Sequence, residues 1–222
     1  MGAYSAISSY SRVRILHLLQ ERPGRTIAEL CTATELHANT VREHLQRLIA
    51  AGYVVPETEH RTTRGRPRVL YSAATGTDAA SSAIAQRKAR EAAHRGDLMR
   101  RVMPADEPSA LAPDALHQLD ALVEDLSDAG FDPVVDESEL TVDLTPCAYA
   151  SEQESHRAVL CHVHLAVMQG VLAEAGGPLS VDGMLPACDP TRCVVQLSAR
   201  AAPAAQRRAP TDADRRTRPA PA

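Results

Sequence analysis

The chain has 222 residues with one Phe, five Tyr and no Trp, so any core must be built mainly from Leu, Val, Ile and Ala. Its net charge of −4 hides an asymmetry: residues 1–75 carry ten Arg against six acidic groups, whereas residues 104–195 carry two Arg against seventeen acidic groups. Only the N-terminal part suits phosphate, and the acidic segment repels it, which points to two domains with different tasks and not to one uniform nucleic-acid surface. Residues 76–103 are basic by three charges and the last stretch, from 196, by four. No apolar run approaches the roughly 18 residues that span a bilayer. Met1-Gly2-Ala3-Tyr4-Ser5 lacks the basic and apolar regions of a secretory signal. The expected location is the cytoplasm with no membrane partner, where five cysteines serve as reduced thiols or ligands and not as disulfides.

In chain order, Ser11 to Leu19 reads as a helix with Ile15, Leu16 and Leu19 on one face, ended by Pro23-Gly24. Thr26-Ile27-Ala28-Glu29 has the capping-box pattern and starts a second helix that buries Ile27, Leu30 and Cys31. Cys31 is read as core. A turn through Leu36 and His37 leads to a third helix, Asn39 to Ala51, closed by Gly52. Val41, Leu45 and Leu48 fall at i, i+4 and i+7 and face inward. The opposite face then presents Asn39, Thr40, Arg42, Glu43, Gln46 and Arg47. Asn, Gln and Arg are the side chains that make paired hydrogen bonds to purine edges in the major groove. Tyr53-Val54-Val55 and Val69-Leu70-Tyr71 form a β-hairpin whose tip holds Arg61, Arg64, Arg66 and Arg68, suited to phosphate or a narrow minor groove.

Three short helices and a basic hairpin in this order resemble the winged helix-turn-helix of ArsR-like and DeoR-like bacterial regulators. The resemblance covers residues 9–73 and is most specific in Thr40-Val41-Arg42-Glu43-His44-Leu45-Gln46-Arg47-Leu48, Ala51-Gly52-Tyr53-Val54 and Gly65-Arg66-Pro67-Arg68. His37 stands at the cap of the third helix, where such families often place Ser or Asp; His is the poorer cap.

Residues 76–103, rich in Ala and Arg, read as a connecting or dimer-contact helix with Leu98, Met99, Val102 and Met103 as its main apolar cluster. Pro104 to Pro113 looks like a hinge. A helix follows from Pro113, with Leu116, Leu119, Leu122, Val123 and Leu126 at helical spacing and a stop at Gly130. Val134-Val135 and Leu140 to Leu144 read as strands. Ser151 to Ala175 reads as a long helix with Val159, Val163, Val167 and Val171 spaced by four, and Leu179-Ser180-Val181 and Val194 to Leu197 as two further strands. From about Arg200 the chain is Ala, Pro and Arg, which cannot bury a core.

The fold class read from these elements is α+β. A winged helix-turn-helix occupies residues 1–75, a connecting or dimerisation helix 76–104, an α+β effector domain 105–198 and a disordered tail 199–222.

Four cysteines, Cys147, Cys161, Cys188 and Cys193, lie in the effector domain. Four thiols can hold a tetrahedral zinc or an iron–sulfur cluster. The spacings of 13, 26 and 4 intervening residues match no compact zinc ribbon, so buried thiols remain open as well. Cys147-Ala148-Tyr149, Val159-Leu160-Cys161-His162-Val163-His164-Leu165, Gly170 and Cys193-Val194-Val195-Gln196-Leu197 resemble the effector domain of SufR-type regulators, which are iron–sulfur-binding repressors fused to such a winged helix. Ala148 stands where that family often has Pro. The resemblance implies a [4Fe-4S] or [2Fe-2S] cluster on Cys147, Cys161 and Cys193, with Cys188 as fourth ligand or His164 in its place. It also implies a homodimer on a palindromic double-stranded DNA operator. Such a protein is a repressor sensing iron–sulfur or redox status; the alternative is a thiol- or zinc-dependent regulator without a cluster. No nucleophile–base pair stands near these ligands in the sequence, so a sensor and not an enzyme is expected.

Overall fold

The computed structural model describes residues 6–7, 9–59, 67–77, 80–103, 109–147, 152–185 and 191–200. Arg61, Arg64, Arg66, Cys188, the first half of the expected hinge and nearly all of the expected tail lie outside the described residues.

Helix α1 (Tyr10–Glu21) buries Val13, Ile15, Leu16 and Leu19. Helix α2 (Ile27–Thr34) starts at the expected capping box: the Glu29 N–H donates to Thr26 Oγ1 at 3.3 Å, and the Thr26 N–H donates to Glu29 Oε2 at 2.8 Å. Its buried face is narrower than expected, because Leu30 is fully enclosed while Ile27 and Cys31 are only partly covered. Helix α3 (Ala38–Ala51) begins one residue earlier than the sequence suggests. His37 does cap it, with ring Nδ1 accepting from the Asn39 N–H at 3.3 Å in place of a side-chain oxygen. Gly52 ends α3 at φ +91°, in the left-handed region that glycine enters without steric cost. Strands β1 (Val54–Thr58) and β2 (Val69–Ala73) pair antiparallel, Val54 against Ala73 and Thr58 against Val69. A bridge from Arg25 to Tyr71 ties the base of this wing to the turn before α2.

Helix α4 (Ala83–Val102) packs along α5 (Pro113–Asp128). Gly96 makes the approach possible, since a Cβ there would collide with the Asp120 carboxylate. The residues α4 buries are Ala89 and Ala92, whereas Leu98, Met99, Val102 and Met103, the apolar cluster near its end, are all exposed. Strands β3 (Val134–Asp136), β4 (Thr141–Asp143), β5 (Leu179–Leu185) and β6 (Val194–Ala199) form one antiparallel sheet of order β3-β4-β6-β5.

Helix α6 (Glu154–Ala175) belongs to both halves. Leu160, Val163 and Val167 complete the core made by α1, α2, α3 and the wing, while Met168 and Leu172 complete the core between α5 and the sheet. A helix used on several sides keeps little polar surface, and in its N-terminal half Glu154, Ser155, Ala158 and His162 stay exposed. By length and composition α6 could cross a membrane, which a search for uninterrupted apolar runs does not reveal; in the fold α1, α4, α5 and β5 pack against it. Buried Gln118 of α5 staples the second core. Its Nε2 donates to the carbonyls of Leu172 and Leu179, and its Oε1 accepts from the Leu179 N–H at 2.7 Å. Every polar group of that side chain is thereby used, which is what makes its burial tolerable.

Glu35, at the turn between α2 and α3, holds φ +61° although it carries a side chain. That conformation is costly for any residue with a Cβ. Glu35→Gly should therefore raise unfolding free energy by about 0.5–1 kcal/mol, seen as a higher urea midpoint at unchanged slope; a lower midpoint would show that the Glu35 side chain stabilises the turn.

Candidate nucleic-acid interface and buried thiol cluster

Burial of Val41, Leu45 and Leu48 fixes the rotation of α3, and with it the surface α3 offers. Asn39, Arg42, Glu43, Gln46 and Arg47 are exposed, and Thr40 is half-buried at the edge. Arg42 Nη1 donates to Asn39 Oδ1 at 2.8 Å, and Arg47 Nη2 donates to Glu43 Oε1 at 2.7 Å. Both pairs are solvated, so each arginine can exchange its partner for a base edge or phosphate at little cost. On the wing, Arg68 pairs with Glu59 at 3.1 Å and remains more than half exposed.

Other arginines of the first 75 residues have internal duties. Arg14 donates to the Ala33 carbonyl at the end of α2, Arg22 pairs with Glu29 at 2.6 Å, and Arg25 donates to the Leu18 carbonyl. A charge count cannot separate these from Arg42, Arg47 and Arg68; the helix rotation does.

The second constellation lies at the corner where β4, β6 and α6 meet. The loop after β4 reaches Cys147 through a cis Thr145–Pro146 bond, and Cys193 opens β6. Two backbone contacts lock these segments together: the Leu144 N–H donates to the Cys193 carbonyl at 2.7 Å, and the Cys193 N–H donates to Thr145 Oγ1 at 3.2 Å. Cys161 comes from α6. All three side chains are buried. The Cys193 thiol is pushed up to about 12, first by burial, then by the neighbouring sulfurs of Cys147 and Cys161 and by its own hydrogen bond to Cys147.

The structure therefore brings Cys147, Cys161 and Cys193 into one neighbourhood from three distant stretches of chain. Among the described residues, no group of three or more His, Cys, Asp or Glu is already arranged to hold a metal ion. The thiols are neighbours, not a finished cage. The donor chemistry still fits a soft metal centre: a buried thiol resists ionisation until positive charge arrives, and a bound metal supplies it.

His164 lies one turn beyond Cys161 on α6, stacked on Phe131 with ring centroids 4.7 Å apart. Burial alone lowers its pKa to about 4, so its ring is neutral near pH 7, and its Nε2 is buried without a hydrogen-bond partner among the described residues. Cys31 stands apart on α2, packed against the first core.

The model of the family described as "Bacterial regulatory protein, arsR family" matches residues 9–55, from the start of α1 into β1. No curated protein and no solved structure matches the chain. With α2, the Glu35 turn and α3 in helix-turn-helix order, a basic exposed face on α3 and a β-hairpin wing behind it, residues 9–55 form a DNA-binding helix-turn-helix domain of the arsR family of regulators.

Proposed function

We propose that this protein is a transcriptional repressor whose operator binding is controlled by an iron–sulfur cluster on Cys147, Cys161 and Cys193. The observation that supports this reading is the convergence of three buried thiols on α6, the helix that also completes the core of the winged helix. A bound cluster supplies a redox- and iron-sensitive cross-link through its thiolate ligands. Cys147 and Cys193 anchor that corner to the sheet, and Cys161 anchors it to α6. One residue from Cys161, Leu160 packs against the DNA-binding core, and Val163 follows two residues after it. Along the same face, Tyr10 stacks on His156 at 4.0 Å and His17 meets His162 edge-on at 5.5 Å, joining α1 to α6. A shift of α6 is thereby passed to α1, and from α1 to the recognition helix. Cys188 or His164 provides the fourth ligand.

A second reading, a thiol- or zinc-dependent regulator without a cluster, is favoured by one contact. The Cys193 thiol hydrogen-bonds Cys147, and two thiols so close can close to a disulfide under oxidation. Anaerobic purification with iron and sulfide quantification separates the two. Cys147→Ser, Cys161→Ser and Cys193→Ser should each bleach the protein, while Cys31→Ser keeps the chromophore. Loss of colour in Cys188→Ser but not in His164→Ala assigns the fourth ligand to Cys188, and the reverse pattern assigns it to His164. A colourless, iron-free anaerobic preparation that still switches on DNA would leave only the thiol or zinc reading.

Operator contact is assigned to Asn39, Thr40, Arg42, Glu43, Gln46 and Arg47 of α3 and to Arg64, Arg66 and Arg68 of the wing. Arg42→Ala should cost about 1–3 kcal/mol of binding and relax base preference at one position per half-site. Arg68→Ala should weaken all sequences evenly and reduce the salt slope by about 1. Gel-shift titrations at several salt concentrations test both, and wild-type behaviour in the two variants would reject this face.

The exposed end of α4, with Val102 at 76% and Met103 at 67% exposure, is assigned to contact with a second copy, giving the homodimer that a palindromic operator requires. Val102→Asp should shift the protein toward monomer in sedimentation and weaken operator binding. An unchanged dimer would place the contact elsewhere.

A further inference from the structure

A cavity of about 270 Å³ lies between the winged helix and the remainder of the fold, away from the thiols. Leu16 and Gln20 of α1, the end of α3 and the base of the wing form one side, and α4, α5 and α6 form the other. Ala51, Ala89, Ala121, Val167 and Val171 make its walls largely apolar. A cavity of about 150 Å³ is enough for benzene, so this one accommodates a ring with a short side chain.

The polar groups at this site are one-sided. Its lining carries five carboxylates against two cations. Both cations are already paired: Lys88 lies 3.7 Å from Asp128, and Arg95 lies 2.6 Å from Glu124. Glu174 is occupied by the Ser81 hydroxyl and the Ser82 N–H at 2.8 and 2.7 Å. Asp125 differs. Among the described residues its carboxylate accepts only from the Tyr53 hydroxyl, at 3.2 and 3.3 Å. Burial raises its pKa to about 6, against the weaker pull of Lys88 and the Tyr53 hydrogen bond. Gln20 adds a second acceptor, since its Oε1 is buried with no hydrogen-bond partner among the described residues. A buried carboxylate with spare lone pairs and an orphaned amide oxygen both call for a donor, and the surplus of negative charge calls for a cation.

We propose that this cavity binds a small organic amine, its apolar body against the alanine and valine walls and its ammonium group seated on Asp125 with Gln20 as second acceptor. Such a ligand supplies both missing donors and neutralises the least compensated charge at the junction. It touches α1, the end of α3 and the wing on one side and α4 to α6 on the other, so its binding free energy favours one relative placement of the two halves. The site is independent of the thiols.

The test is direct binding, not DNA affinity, so it stands or falls separately from the cluster reading. Isothermal titration calorimetry of the full chain would use 2-phenylethylamine, cyclohexylamine and hexylamine. 2-Phenylethanol serves as the uncharged isostere and 3-phenylpropionate as the anionic one. At least one amine should bind, with 2-phenylethylamine tenfold or more tighter than 2-phenylethanol and no heat from 3-phenylpropionate. Asp125→Asn keeps an acceptor for the Tyr53 hydroxyl and should lower amine affinity at least tenfold while sparing the alcohol. If circular dichroism shows Asp125→Asn unfolded, Ala51→Leu decides: it narrows the cavity without touching the carboxylate and should abolish amine binding. Failure of all three amines to bind, equal affinity for amine and alcohol, or full affinity in a folded Asp125→Asn or Ala51→Leu variant would each overturn the proposal.

Discussion

The fold depends on α6 being buried from several directions at once. Leu160, Val163 and Val167 point into the core of the winged helix, Met168 and Leu172 into the core beneath the sheet, and Val171 toward the alanines of α4 and α5. Each large apolar side chain so enclosed contributes about 1.5–3 kcal/mol, and Leu160, Val163 and Val167 gain that burial only when the winged helix packs on α6. The helix is therefore the reason the two halves cannot pack as independent beads. A displacement of α6 cannot be absorbed by one core alone, because close-packed interiors transmit strain instead of deforming smoothly. Cys161 lies on this helix beside Leu160, so its surroundings are coupled to the first core through the packing.

Polar contacts fix how α4, α5, α6 and the sheet sit together, and one of them crosses to the winged helix. Gln118 ties α5 to the end of α6 and to β5, Glu174 holds the start of α4 through Ser81 and Ser82, and the Tyr53 hydroxyl crosses from the wing to Asp125. Hydrogen bonds to buried partners are modest in net energy but expensive to leave unmade. They penalise alternative placements more than they stabilise the observed one. Gln118 is fully satisfied and reads as fixed architecture. Asp125 and Gln20 retain unused acceptors among the described residues, and both line the cavity.

What the sequence made legible follows from side-chain size and period. Val41, Leu45 and Leu48 are large, regularly spaced and buried, so the face of α3 could be assigned without coordinates, and the capping box at Thr26 located the start of α2. On α4 the size and period of apolar residues do not locate the buried contact. There the close approach to α5 requires small residues, so Ala89, Ala92 and Gly96 lie at the contact while Leu98, Met99, Val102 and Met103 are left outside. His37 was a weak cap by residue type, yet its ring nitrogen takes the role of an oxygen, an option that preferences by residue type do not express. The three clustered thiols were implied as neighbours by resemblance, not by their spacing. Their proximity comes from β4 and β6 being adjacent strands covered by α6, and strand order is not written in the spacing.

The charge asymmetry of the chain acquires its meaning only in this packing. The stretch around α4 is basic by three charges. Lys88, Arg95 and Arg100 reach across to Asp128, Glu124 and Asp120 of α5, and His117 of α5 returns the contact to Asp97. Arg100 is held between Asp97 and Asp120 with both carboxylates at 2.8 Å. Solvated pairs of this kind add little stability one by one, but a row of them sets the register between two helices whose buried contacts are mostly alanine. The acidic residues of the C-terminal half are in this way spent partly on neutralising α4. Arg42 and Arg47 of α3 and Arg68 of the wing remain exposed, and α4 exposes its apolar end.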